Sequence, residues 1–169
     1  MSDMAKQKKK TVSLGGVLTL LGCIIRAAQL TGAYFGAEFV TERGLYIAML
    51  CLLCGGFAIL AYEKKGRASF CAVAASAVCL LSTVMGNMSD GGDFLRILSA
   101  VFLVATFALA GLHCIFASDG NKLKLTGGVA VFLLAVLCGL FAFGVSISPA
   151  VTLVTLLAAY LLTGVSILI

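Results

Sequence analysis

The run length of its apolar residues constrains this chain more than any other feature. Blocks of roughly 18 to 25 apolar residues, broken by short polar patches, succeed one another along the sequence. At about 1.5 Å per residue, a helix of that length crosses a hydrocarbon layer about 30 Å thick. Six spans are predicted, over residues 12–34, 45–62, 68–85, 94–117, 125–145 and 149–169. The connections between them are too short to hold a soluble domain. The expected fold class is therefore all-α and integral to the membrane, six transmembrane helices as three repeated helical hairpins behind a basic tail at residues 1–11. Composition agrees: a soluble domain carries about a quarter charged residues, whereas this chain has 11% charged and 62% hydrophobic residues.

Charge placement gives the orientation. Lys6, Lys8, Lys9, Lys10, Lys64, Lys65, Arg67, Lys122 and Lys124 fall on one side of the six spans, and Arg43 and Arg96 fall in connections on the other. Positive charge resists translocation, so the first set is expected in the cytoplasm with both chain termini. Acidic Glu38, Glu42, Asp90 and Asp93 lean to the outer side. The net charge of +5 is thus explained by topology and by anionic lipid, which attracts each basic residue near its surface by about 1 kcal/mol. Nucleic acid is not needed as a partner. The first span is too long for a signal-peptide core and more spans follow it, so it reads as an uncleaved helix.

An internal repeat organises the spans. The second helix of each hairpin ends alike: Leu-Leu-Cys-Gly-Gly-Phe-Ala-Ile from Leu52, Phe-Ala-Leu-Ala-Gly-Leu-His-Cys from Phe107, and Tyr-Leu-Leu-Thr-Gly-Val-Ser-Ile from Tyr160. Gly56, Gly111 and Gly164 occupy the matching point, a period of roughly 54 residues, and the hairpins cover approximately 12–62, 68–117 and 125–169. The first helices of hairpins one and three match through Leu-Gly-Gly-Val from Leu14 and Thr-Gly-Gly-Val from Thr126. Small residues let helix backbones approach closely where no aqueous hydrophobic effect drives association, so these glycines are candidate helix-packing positions. Three copies of one unit permit a quasi-threefold ring.

This pattern resembles the HdeD family of small six-helix bacterial membrane proteins. The last hairpin carries the resemblance best, through Gly127-Gly128-Val129 to Gly139, Pro149 opening the sixth helix, and Tyr160-Leu161-Leu162-Thr163-Gly164. Hairpins one and two lack the Pro of hairpin three, and the first outer connection is longer and more charged. The resemblance implies a bacterial inner (plasma) membrane protein associated with acid or envelope stress. It supplies no catalytic residues.

Few residues within the spans carry chemistry. Arg26 lies in the outer half of the first span with Gln29 one turn beyond, and a charge inside a membrane counts as a functional candidate. Arg26 and Gln29 either face a polar cavity that binds an anion or lipid headgroup, or Arg26 snorkels to the outer interface and pairs with Glu38 or Glu42; the second is the favoured expectation. His113, the single histidine, falls near the cytoplasmic end of the fourth span and is expected to be solvated or hydrogen-bonded rather than a pH switch. Cys51 and Cys54 form a CxxC, but no second pair or nearby histidine completes a tetrahedral site, so the seven cysteines read as packing residues. The outer loop from Asn87 to Asp93 lacks the ligand spacing of an EF-hand. No catalytic set, metal or cofactor is expected.

Two functions follow as expectations. The first is a non-enzymatic membrane protein that acts in stress tolerance through self-association, as a homo-oligomer, or through a membrane-protein partner. The second is a small-molecule transporter or substrate-binding membrane subunit, which requires a polar pocket among the spans.

Overall fold

A computed structural model of the chain describes residues 13–37, 43–88, 92–142 and 148–169. The basic tail, Glu38, Glu42 and Asp90 lie outside the described residues. The described chain is all-helical: α1 (Leu14–Tyr34), α2 (Arg43–Glu63), α3 (Arg67–Asn87), α4 (Asp93–Phe116), α5 (Lys122–Ala142) and α6 (Pro149–Leu168). All six are long and apolar enough to cross a membrane.

Local chemistry sets the helix ends. Ser13 caps α1, its Oγ accepting from the Gly16 N–H at 3.0 Å, and Ser148 caps α6 with Pro149 at the first helical position. Gly66 and Gly120 turn the chain between helices with φ of 70° and 84°, a left-handed conformation that costs glycine little. Helix-end electrostatics then tie one end of the bundle together. Glu63, closing α2, accepts from the Ser13 hydroxyl and from the Gly15 N–H, which puts a carboxylate at the positive end of α1. Lys124 Nζ donates to the Ile167 carbonyl at 3.3 Å, a cation at the negative end of α6. Lys64 and Asp119 pair at 3.4 Å between two connections.

Each helix packs antiparallel on its chain neighbour, α6 closes back onto α1, and α4 also reaches α6 across the centre. The central contact is aromatic: Phe107 and Tyr160 meet edge to face with ring centroids 4.8 Å apart. Small residues and hydroxyls hold the α3 interfaces. Ser76 Oγ donates to the Cys54 carbonyl at 3.1 Å and Ser69 Oγ to the Ala61 carbonyl at 2.6 Å, which fixes one register along α2 and α3. Ser82 and Ser99 each donate to the other's carbonyl, at 2.9 and 2.8 Å, and lock α3 to α4. Ala72, Ala75 and Ala110 are wholly buried, so along this stretch α3 and α4 approach through alanine.

Close helix approaches fall on the repeated glycines. A Cβ on Gly56 would lie 2.7 Å from the Thr19 backbone nitrogen, one on Gly111 2.8 Å from the Gly128 carbonyl, and one on Gly164 3.1 Å from the Leu20 Cα. Gly111 therefore faces the helix that follows it, α5, while Gly56 and Gly164 both face α1. The glycine contacts are thus not threefold. The two Gly-Gly doublets work alike: Gly15 meets α2 and Gly16 meets α6, while Gly128 meets α4 and Gly127 meets α6. Adjacent glycines lie about 100° apart around a helix, so one doublet admits a neighbour on each of two sides.

The exterior is apolar. Leu133, Val136 and Leu140 on α5, Val154 on α6 and Phe70 on α3 all point outward. An exposed surface this apolar fits hydrocarbon rather than water.

Candidate functional site: a polar cavity beside Arg26

Arg26 and Gln29 are three residues apart on α1, hence on one face of it. Gln29 is 5% exposed, and its Oε1 accepts from Arg26 Nη1 at 3.4 Å. The guanidinium lies over the Tyr46 ring of α2, 5.8 Å from the centroid, a cation–π contact. Tyr160 of α6 lines the same cavity as the guanidinium. Three helices therefore converge beside one cation. Among the described residues, no carboxylate lies within ion-pairing distance of it.

Arg26 lines a cavity of about 280 Å³ whose walls come from α1, α2, α3, α4 and α6. Tyr46, Tyr160, Ser82, Thr83 and Ser99 line it as well, beside apolar Met49 and Leu103. The volume sits near the lower end of the roughly 300–1,000 Å³ typical of small-molecule pockets. A cation held by Gln29 and Tyr46, in a cavity with polar and aromatic walls, can bind an anion through charge-assisted hydrogen bonds. The expectation that Arg26 runs outward to Glu38 or Glu42 involves residues outside the described set; the described contacts turn its head into the bundle.

His113 belongs to a different place. It is wholly buried near the end of α4, where its Nδ1 donates to the Ala68 carbonyl of α3 at 2.8 Å. A carbonyl only accepts, so the Nδ1–H tautomer is fixed and Nε2 is the ring's acceptor. Nε2 has no hydrogen-bond partner among the described residues. Of the two expected situations, solvated or hydrogen-bonded, the structure shows the hydrogen-bonded one, and small Ala68 and Ala72 let α4 come close enough to α3 to cover the ring. Arg26, Gln29 and His113 do not form one site. The first two are joined, and the third sits toward the Lys124 end of the bundle.

The CxxC pair separates across α2. Cys51 is exposed, while Cys54 turns toward α3 with its Sγ 3.7 Å from the Ser76 carbonyl. All seven cysteines are free thiols, and among the described residues no group of three or more His, Cys, Asp or Glu is placed to hold a metal ion. At the opposite end, a second cavity of about 460 Å³ lies among Ser13, Lys64, Asp119, Asn121 and Lys124, where the ion pair and the helix-capping lysine already use the charges.

Sequence reasoning missed Tyr46, Tyr160, Ser82, Thr83 and Ser99 as cavity residues. A signal was available, since a tyrosine deep in an apolar span needs a partner for its hydroxyl. No family model matches the chain, and neither the curated proteins nor the solved structures contain a match.

Proposed function

We propose that this chain is a non-enzymatic, multi-pass membrane protein that binds a small carboxylate at Arg26, as a transporter or substrate-binding subunit does. One observation carries the reading: a guanidinium within a predicted span, without a carboxylate partner among the described residues, lines a cavity built by five helices. A cation in that position is costly unless something compensates it, and a bound anion supplies the compensation. The test is equilibrium binding of labelled butyrate and its neutral isostere butyramide to the protein in lipid nanodiscs. A hydrogen bond to a charged group contributes about 1.5–3 kcal/mol, so butyrate is expected to bind at least roughly tenfold more tightly. Equal binding of the two contradicts the reading.

The proposed setting is the bacterial inner membrane, with both termini and the lysine-rich end in the cytoplasm. The distribution of Lys and Arg supports this orientation, and the HdeD resemblance supports a role in acid or envelope stress. Within it the bundle acts through its ligand together with self-association or a membrane-protein partner. Orientation has a direct check in a variant without native cysteines. A cysteine at Phe35 is expected to react with a membrane-impermeant maleimide in intact cells, and one at Ser118 only after lysis. The reverse pattern overturns the orientation.

A further inference from the structure

The hydrogen-bonding polarity of the Arg26 cavity narrows the ligand. We infer that it is a small hydroxy carboxylate, with its anionic group at Arg26 and its hydroxyl directed to the wall formed by α3 and α4. This inference rests on the carboxylate reading above.

Arg26 and Tyr160 form the donor side. The Tyr160 hydroxyl lines the same cavity as the guanidinium, and its O–H is a second donor that a ligand can use. The Arg26 N–H groups not used by Gln29 supply the other donors. A carboxylate, which only accepts, fits this corner.

Ser82, Thr83 and Ser99 form the acceptor side. Each hydroxyl has one proton, and each proton is already committed: Ser82 donates to the Ser99 carbonyl at 2.9 Å, Ser99 to the Ser82 carbonyl at 2.8 Å, and Thr83 to the Cys79 carbonyl at 2.9 Å. What these residues have left for the cavity is lone pairs. A ligand that only accepts, such as sulfate or a plain fatty carboxylate, satisfies Arg26 and leaves that wall without donors. A ligand with an O–H at its far end satisfies both sides.

Charge chooses between a neutral and a cationic donor. The one formal charge among the residues lining the cavity is Arg26, and no lining residue is acidic. An ammonium at the far end would feel the guanidinium across a short distance with no carboxylate to offset it, so a hydroxyl is preferred. Size agrees as well. At about 30 Å³ per water, the cavity has room for ~9 waters, a space suited to an acid of roughly six to nine non-hydrogen atoms.

The experiment compares butyrate, 4-hydroxybutyrate and 4-aminobutyrate in equilibrium binding to the full chain in nanodiscs. One additional satisfied hydrogen bond corresponds to a roughly three- to tenfold tighter affinity, so 4-hydroxybutyrate is expected to bind that much better than butyrate, with 4-aminobutyrate the weakest. Thr83→Val, which removes one acceptor with little change in shape, is expected to shrink the preference. Thr126→Val removes a similarly self-bonded hydroxyl on the exposed side of α5 and is expected to leave it unchanged. Equal affinities for butyrate and 4-hydroxybutyrate overturn the inference while the carboxylate reading stands. Tightest binding by 4-aminobutyrate overturns the choice of a neutral donor. No binding of any of the three overturns both.

Discussion

Replacing Gly128 with valine is expected to prevent α4 and α5 from docking, with a loss of roughly 3 kcal/mol or more, the upper part of the range for overpacking a close contact. The geometry is reciprocal. A Cβ on Gly128 would lie 2.8 Å from the Gly111 carbonyl oxygen, and a Cβ on Gly111 would lie 2.8 Å from the Gly128 carbonyl oxygen. Both obstacles are backbone, so no side-chain rotation relieves them and the helices must separate. Separation also loosens Val131 and Cys114, which the same approach buries completely. Gly55→Ala supplies the contrast: nothing lies within 4 Å of a Cβ there, and alanine is the better helix former by about 1 kcal/mol. Thermal unfolding in detergent is expected to show G128V far below the wild type and G55A at or above it. Equal midpoints for G128V and the wild type would remove the glycine approach from the account of stability.

The second large effect concerns Arg26. Arg26→Met removes a cation whose described partners, Gln29 and Tyr46, are both uncharged. Replacing a half-buried cation that has no carboxylate partner among the described residues by a flexible apolar chain removes its desolvation cost, so the empty variant is expected to melt at or above the wild-type temperature. Ligand stabilisation is expected to vanish in the same variant. A ligand present at 100 times its dissociation constant stabilises by about 2.7 kcal/mol, and that increment belongs to the wild type alone. A gain in resting stability together with a loss of ligand response is the mark of a residue kept for binding. If R26M instead destabilises the empty protein by several kcal/mol, Arg26 is a structural member of the bundle.

The six long apolar helices were legible because length and hydropathy are properties of single segments, independent of what each segment packs against. The starts of α3 and α6 lie within one residue of the expected positions, and Pro149 makes the latter legible from chemistry alone. The glycines at 56, 111 and 164 were legible as places of close approach, but their partners were not. Gly56 meets α1 while Gly111 meets α5, a difference set by the tertiary arrangement.

The cavity was harder to read for the same reason. An arginine inside a span either snorkels outward or turns inward, and Tyr46 and Tyr160, which line the cavity with it, lie on other helices far along the chain. Ser82 and Ser99 resemble any two serines in apolar spans until the α3–α4 register sets them opposite each other. His113 was legible as a hydrogen-bonded residue but not as a wholly buried one, because position along the span indicates depth, whereas alanines on the neighbouring helix decide burial.

The most direct test of the central claim is a structure determined in lipid nanodiscs with 4-hydroxybutyrate added. The account predicts density against the guanidinium of Arg26, continuous with a small molecule enclosed by Tyr46, Tyr160, Ser82, Thr83 and Ser99. A cavity filled by a lipid acyl chain, or a guanidinium turned out of the bundle and paired with a carboxylate of the chain itself, would contradict it.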